Sequence, residues 1–156
     1  MPCGTALAAT WDKALLGEAG QLLGKECIAK GVHCWLGPTV NITRSPLGGR
    51  NAEAYSEDPH LTGALAAAII AGCQSTGVIS TIKHFACNDQ EDKKYSLNAV
   101  VTQRALREIY LRPFQIAARD ANPGALMTAY NKVNGIVRNI LILNKSYGQN
   151  GNGILL

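Results

Sequence analysis

The sequence predicts an α/β fold in which parallel strands are covered by helices. Two observations predict it: strand-like and helix-like segments alternate along the chain, and unusual polar residues fall where the strand-like segments end. With 156 residues, 47% hydrophobic and 17% charged, the chain has the length and composition of one ordinary domain with a core of its own.

Residues 5–10 read as a first extended segment. Residues 11–31 carry Leu15, Ala19, Leu22, Leu23 and Cys27 at the three-and-four spacing of one helical face, with Asp12 as N-cap and Gly31 as stop. Residues 35–42 form a short β-prone run that ends in the turn-rich residues 45–49. Asp58 followed by Pro59 then opens a helix over about 61–75, because proline suits the first helical position, and Gly77 ends it. Residues 78–82 read as a buried strand. Thr102 opens a third helix with Leu106, Ile109, Tyr110, Phe114 and Ala117 on its face and a bend near Pro113. Residues 125–129 form another strand, which makes about four strand-helix units.

Composition excludes several classes of function. Fifteen Lys and Arg against eleven Asp and Glu leave +4, scattered rather than gathered into a stripe with aromatics, so nucleic acid is not an expected partner. The longest apolar stretches, such as 65–71, are well short of the roughly 20 residues that span a bilayer. The N-terminus lacks the charged-then-apolar layout of a signal peptide, and neither a compartment nor an oligomeric state is read from the sequence. Cys3, Cys27, Cys34, Cys73 and Cys87 form no CxxC pair and read as mostly buried thiols, so no metal and no cofactor is expected.

Parallel α/β chains carry their chemistry at the C-terminal ends of strands. Here those ends hold Arg50 after Gly48-Gly49, Lys83-His84 after Ile82, and Tyr130-Asn131 after Ala129, all expected on one rim. Of the nearby carboxylates, Asp58 reads as a helix cap. Asn88-Asp89-Gln90-Glu91 reads as a loop holder, and Glu53 is not assigned to catalysis. A lysine at a strand end also admits a Schiff-base lyase built on Lys83. A closed eight-unit barrel takes roughly 250 residues, so the sheet is either open or part of something longer.

Five segments in order, 37–51, 55–59, 81–91, 104–110 and 123–135, closely resemble the N-terminal barrel of glycoside hydrolase family 3, above all its fungal β-glucosidases. Lys83-His84-Phe85-Ala86-Cys87-Asn88-Asp89-Gln90-Glu91 and Ala129-Tyr130-Asn131-Lys132-Val133-Asn134-Gly135 are the most specific. The resemblance implies a partial TIM-type (β/α) barrel over 1–135. It also implies hydrolysis of terminal β-D-glucosyl residues by a retaining mechanism, and a β-glucoside or oligosaccharide as substrate. Arg50, Lys83 and His84 resemble the family's donors to the glucose hydroxyls, and Met127 and Tyr130 resemble the walls of that subsite. Adjacent strand residues point to opposite faces, so Lys83 and His84 reach one sugar only if the backbone departs from regular β geometry. The resemblance suggests a cis peptide there, and the five residues are expected around a common cavity.

The resemblance assigns no catalytic residue within this sequence, because the family's nucleophilic aspartate and its acid/base follow later in the chain. The expected product is therefore a chain cut at both ends and inactive by itself, or a non-catalytic sugar-binding remnant. Residues 136–156 do not continue the family text. Reading the codons of 145–154 from each third base permits Ile-Leu-Arg-Pro-Glu-Trp-Glu-Trp-Asp, close to the family's Leu-Arg-x-Glu-Trp-x-Trp-Asp, which points to a frameshift or a missed intron near 136–139.

Overall fold

A computed structural model describes residues 1–137 of the chain; the tail expected to be out of frame lies outside them but for Ile136 and Val137. In order, the elements are α1 (Gly4–Ala8), α2 (Lys13–Ala29), β1 (Cys34–Trp35), α3 (Pro59–Gln74), β2 (Ile79–Phe85) and β3 (Asn98–Ala99). There follow α4 (Gln103–Ala105), a π-helical turn (Leu106–Tyr110), α5 (Arg112–Ala121), β4 (Ala125–Thr128), β5 (Lys132–Val133) and β6 (Ile136–Val137). β1, β2 and β4 form an all-parallel sheet in that order, and the helices cover it. The sheet is open: among the described residues no barrel closes.

The expected first strand is a helix. Ala and Leu in residues 4–8 favour that state, and the Thr5 hydroxyl donates to the carbonyls of Asn51 at 2.6 Å and Ala54 at 2.9 Å, tying α1 to a loop instead of the sheet. The β-prone run over 35–42 is also shorter than expected as a strand. Its ladder breaks after Trp35, where the Gly37–Pro38 bond is cis, and resumes as a bridge between Thr39 and Lys83. There the Lys83 N–H donates to the Pro38 carbonyl at 3.0 Å and the Val40 N–H to the Lys83 carbonyl at 2.9 Å.

The helix caps follow the sequence. Asp12 accepts from the N–H groups of Ala14 and Leu15, Asp58 from that of Leu61, and Thr102 from that of Ala105. The buried face of α2 does not. Leu15 and Leu22 are exposed, whereas Leu16, Gly20, Gly24 and Cys27 are buried. The reason is close approach to α3: a Cβ on Gly20 would stand 2.3 Å from the Ile69 carbonyl oxygen, and one on Gly72 2.1 Å from that of Gly17. Two helices pack there backbone to backbone, with glycine as the contact surface.

α3 packs on α2, α5 and β2, which is why it is apolar almost all round. Leu65, Ile69, Ile70, Ile82 and Phe114 are fully buried, each contributing roughly 1.5–3 kcal/mol relative to exposure. Phe114 meets Phe85 edge-on at 5.2 Å. The third helix breaks at Leu111, just before Pro113, whose missing N–H and bulky ring interrupt the helical ladder. Its inward face is Leu106, Tyr110, Phe114 and Ala117, with Ile109 exposed. A second small sheet, β3-β5-β6, was not expected. Its hairpin turns on Asn134-Gly135, both at positive φ, as the tightest two-residue turn requires.

Candidate functional site

The C-terminal end of β2 and the loops around it bring together three cations and two carboxylates. Arg50 leaves the 45–50 turn, which is held over the 88–91 loop by the Glu91 N–H donating to the Gly48 carbonyl at 3.0 Å. Gly49 lies at φ +90°, and a Cβ there would press on Glu91 at 3.0 Å, so glycine sets how closely Arg50 approaches that loop. The Arg50 guanidinium is hydrogen-bonded through Nε to Glu53. Its Nη1 lies 3.3 Å from His84 Nε2 and 3.4 Å from Glu91 Oε1. The Lys83 ammonium stands 3.7 Å from Glu53 Oε2, which also accepts from the Thr39 hydroxyl at 3.2 Å.

The peptide between Lys83 and His84 is cis, as is that between Phe85 and Ala86, and the register of β2 against β4 shifts between Lys83 and Phe85. Both neighbouring side chains meet the same cluster, Lys83 through Glu53 and His84 through Arg50. His84 is held by Asn41 on three sides: Asn41 Nδ2 donates to the His84 carbonyl at 2.9 Å, and Asn41 Oδ1 accepts from the His84 N–H at 2.9 Å and lies 3.2 Å from Nδ1. An amide oxygen only accepts, so this network puts the ring proton on Nδ1 and leaves Nε2 as the acceptor facing Arg50.

The charges tune one another. Burial, then the Arg50 and Lys83 charges, pushes the His84 imidazole down to about 4, so it is neutral near pH 7. Burial pushes the Glu53 carboxyl up, but the Arg50 hydrogen bond and the Lys83 and Arg50 charges together outweigh it and hold the group below its ordinary value. Glu91 is likewise held low against burial by Lys94, Asn88 and Arg50. Asp89 goes the other way: burial lifts it to about 6 despite the Arg44 charge, and its Oδ1 is buried without a hydrogen-bond partner.

Arg50 and His84 line a small open hollow with Thr39, Asn41, Asn88 and Asp89. Lys83, Met127 and Tyr130 are outside that lining. Met127 is the register partner of Lys83 on β4. Tyr130 joins the cluster at one remove: the Lys94 ammonium is 5.8 Å from its ring centroid and 2.7 Å from Glu91 Oε2, and Glu91 in turn meets Arg50. Reasoning from sequence left Glu53 out of the site, read Glu91 only as a loop holder and missed Lys94 and the Asn41 clamp. Glu53 falls three residues after Arg50, a spacing that was the one available signal.

Parallel strands covered by helices, with an imidazole, paired cations and carboxylates gathered at the strand ends, define a class, an α/β domain with a polar strand-end site. The model of the glycosyl hydrolase family 3 N-terminal domain matches residues 1–145, and the chain belongs to that family. It is 70% identical over 135 residues to the probable β-glucosidase H of Aspergillus flavus and 69% identical to the probable β-glucosidase K of Emericella nidulans, covering 86% of this chain and 16% of each relative. Among solved structures, the β-glucosidase of Kluyveromyces marxianus in complex with glucose superposes with a TM-score of 0.86 at 54% identity, covering 87% of this chain and 16% of that one. β-Glucosidase 3B of Thermotoga neapolitana in complex with glucose gives 0.86 at 48% identity over 87% and 19%. The chain thus spans about a sixth of the length of these relatives.

Proposed function

We propose that this chain is the glucose-gripping part of a β-glucosidase barrel, carried by residues 1–135, and that the family frame is lost within 136–156, where the family model still matches as far as 145. Arg50, Lys83 and His84 donate to the hydroxyls of a terminal β-linked glucose, and Met127 and Tyr130 form walls against the ring. Charged donors suit this task, because hydrogen bonds from cations to neutral hydroxyls are strong and directional, while thioether and phenol surfaces cover the apolar faces of a pyranose. Glu53 and Glu91 hold the cations in place before the sugar arrives, which lowers the ordering needed on binding. As assigned, the neutral His84 donates from Nδ1 to Asn41 and presents Nε2 as an acceptor. Donation to a hydroxyl therefore follows a tautomer change, or the imidazole accepts from the hydroxyl instead.

Hydrolysis in this reading is retaining, with a carboxylate nucleophile and a carboxylic acid about 5.5 Å apart, and no pair in residues 1–135 is assigned those roles. Binding groups alone do not lower the barrier, since they act on a transition state that only the two carboxylates make reachable. The observation that carries the reading is the convergence of Arg50 and His84 to 3.3 Å, with Glu53 bridging Arg50 and Lys83, in a chain of this family.

The test is a titration of the purified chain with glucose and with methyl β-D-glucoside by NMR, alongside release of nitrophenol from an aryl β-glucoside. Saturable binding lost in Lys83→Ala, with hydrolysis no faster than in that variant, is expected. A folded chain that ignores both sugars, or turnover that disappears with Lys83→Ala, overturns it.

A further inference from the structure

The Asn41 clamp carries a second chemistry that glucose binding leaves unused. Asn41-Ile42-Thr43 matches the Asn-x-Ser/Thr acceptor pattern of N-glycosylation, with x other than proline, and such acceptors belong on exposed loops. This one is not on such a loop. Asn41 is 7% exposed and stands between Val40 and Ile42, both buried. The backbone is pinned on either side, since the Val40 N–H donates to the Lys83 carbonyl at 2.9 Å and the Thr43 N–H to the Ser56 carbonyl at 3.2 Å. The side-chain amide is engaged as well. Its Nδ2, the atom to which a glycan attaches, donates to the His84 carbonyl at 2.9 Å, and its Oδ1 accepts from the His84 N–H at 2.9 Å.

We propose that Asn41 is a glycan acceptor in the unfolded chain only, and that N-glycosylation there and the folded rim exclude one another, so that early glycosylation switches the site off. In the transfer, Nδ2 forms a bond to the anomeric carbon of an oligosaccharide carried on a lipid diphosphate. The bond from that carbon to the diphosphate oxygen breaks, the lipid diphosphate leaves, and Nδ2 gives up one proton. The acceptor has to be handed to the transferase as accessible chain, and folding withdraws it by burying Asn41 and pinning its neighbours. A glycan already in place has two positions, and each disables the rim. With Asn41 in its folded place, the glycan stands in the hollow that Asn41 lines with Arg50 and His84. Turned outward, it draws the amide away from His84, whose buried N–H loses its acceptor and whose ring loses the oxygen that fixes its tautomer. The order of folding and transfer therefore decides whether the site forms.

The experiment imports the full 156-residue chain, carrying a cleavable secretion signal, into microsomes during translation. Asn144→Gln removes the chain's other acceptor pattern, Asn144-Lys145-Ser146, so that any glycan reports on Asn41. Mass spectrometry of the tryptic peptide 31–44 should find Asn41 glycosylated in the imported chain. It should find Asn41 unmodified in chain that was purified folded and only then given the same transferase and lipid-linked oligosaccharide. Phe85 is buried in the folded chain, so chymotrypsin cleavage after it reports on the strand end. That cleavage should be about 10-fold faster in the glycosylated chain than in chain imported while lipid-linked oligosaccharide synthesis is inhibited, and the glycosylated chain should not bind glucose. Glycosylation of the folded chain, failure of the imported chain to be modified, or equal cleavage of the two imported forms each overturns the proposal. Faster cleavage of the glycosylated form, with glucose ignored by both, leaves the proposal standing and overturns the glucose reading.

Discussion

The α2–α3 interface and the strand-end rim are built in opposite ways. The interface is apolar and closed: glycine backbones meet with no room for a methyl group, and the buried residues of both helices are uncharged. The rim is open and charged: Arg50, Lys83, Lys94, Glu53 and Glu91 hold one another at hydrogen-bond and ion-pair distance, and His84 and Asp89 are pushed away from their ordinary protonation ranges. The difference teaches where each region can tolerate change. A closed interface fails through volume, and an open charged rim fails through charge and pH.

The largest effect should come from volume. Gly20→Val places branched carbons where the Ile69 carbonyl already stands 2.3 Å from a Cβ, so the helices must separate. A loss of about 3 kcal/mol or more is expected in urea denaturation. A midpoint close to that of the parent would show that the interface is looser than the glycine contacts require.

Next comes pH, where two rim groups oppose each other. His84 sits at about 4 in the folded chain against an ordinary 6.5, so its stabilisation is complete above pH 6.5 and is lost as pH falls toward 4. Asp89 sits at about 6 against 3.8, so its contribution is present at low pH and is lost as pH rises toward 6. Over the shared window the two nearly cancel. Asp89→Asn removes one side and should add an acid-side loss of up to about 3 kcal/mol between pH 6.5 and 4, read as a steeper fall in Tm than the parent shows, since the lowered Glu53 and Glu91 act alike in both proteins. Parallel pH profiles for the two proteins would break the comparison.

A smaller effect belongs to Glu53→Gln. The carboxylate is more than a third exposed, so solvent screening limits its worth to about 1 kcal/mol of stability despite its two cations. Glucose binding should weaken more than stability does, because Arg50 and Lys83 lose the group that orients them. Unchanged glucose affinity in this variant would remove Glu53 from the site. The smallest effect marks the surface beyond both regions: Glu108→Ala breaks a highly exposed pair with Arg104 and should alter stability by no more than about 0.5 kcal/mol in the same urea experiment.

Much of this was legible along the chain. Asp12, Asp58 and Thr102 cap their helices as short polar side chains do wherever orphan N–H groups need an acceptor, and residues 125–128 are strand as their apolar run implies. Arg50 and His84 were readable as neighbours only through motif order, since thirty-four residues separate them. The buried face of α2 was misread because periodicity counts Leu and ignores Gly, while the α3 backbone selects glycine. Residues 5–10 were misread as strand because a short run of Ala, Leu and Thr does not say which partner it will find.

Local chemistry therefore determined the caps, the break before Pro113 and the family motifs, since each depends on atoms within a few residues of one another. Only the tertiary structure decided that Glu53 bridges Arg50 and Lys83, that Asn41 fixes the imidazole of His84, and that Lys94 ties Tyr95 and Tyr130 to the rim. Those contacts join segments far apart in the chain, 50–53 with 83, 41 with 84, and 94–95 with 130. Their strength comes from burial and from the charges gathered around them, which no single segment of sequence contains.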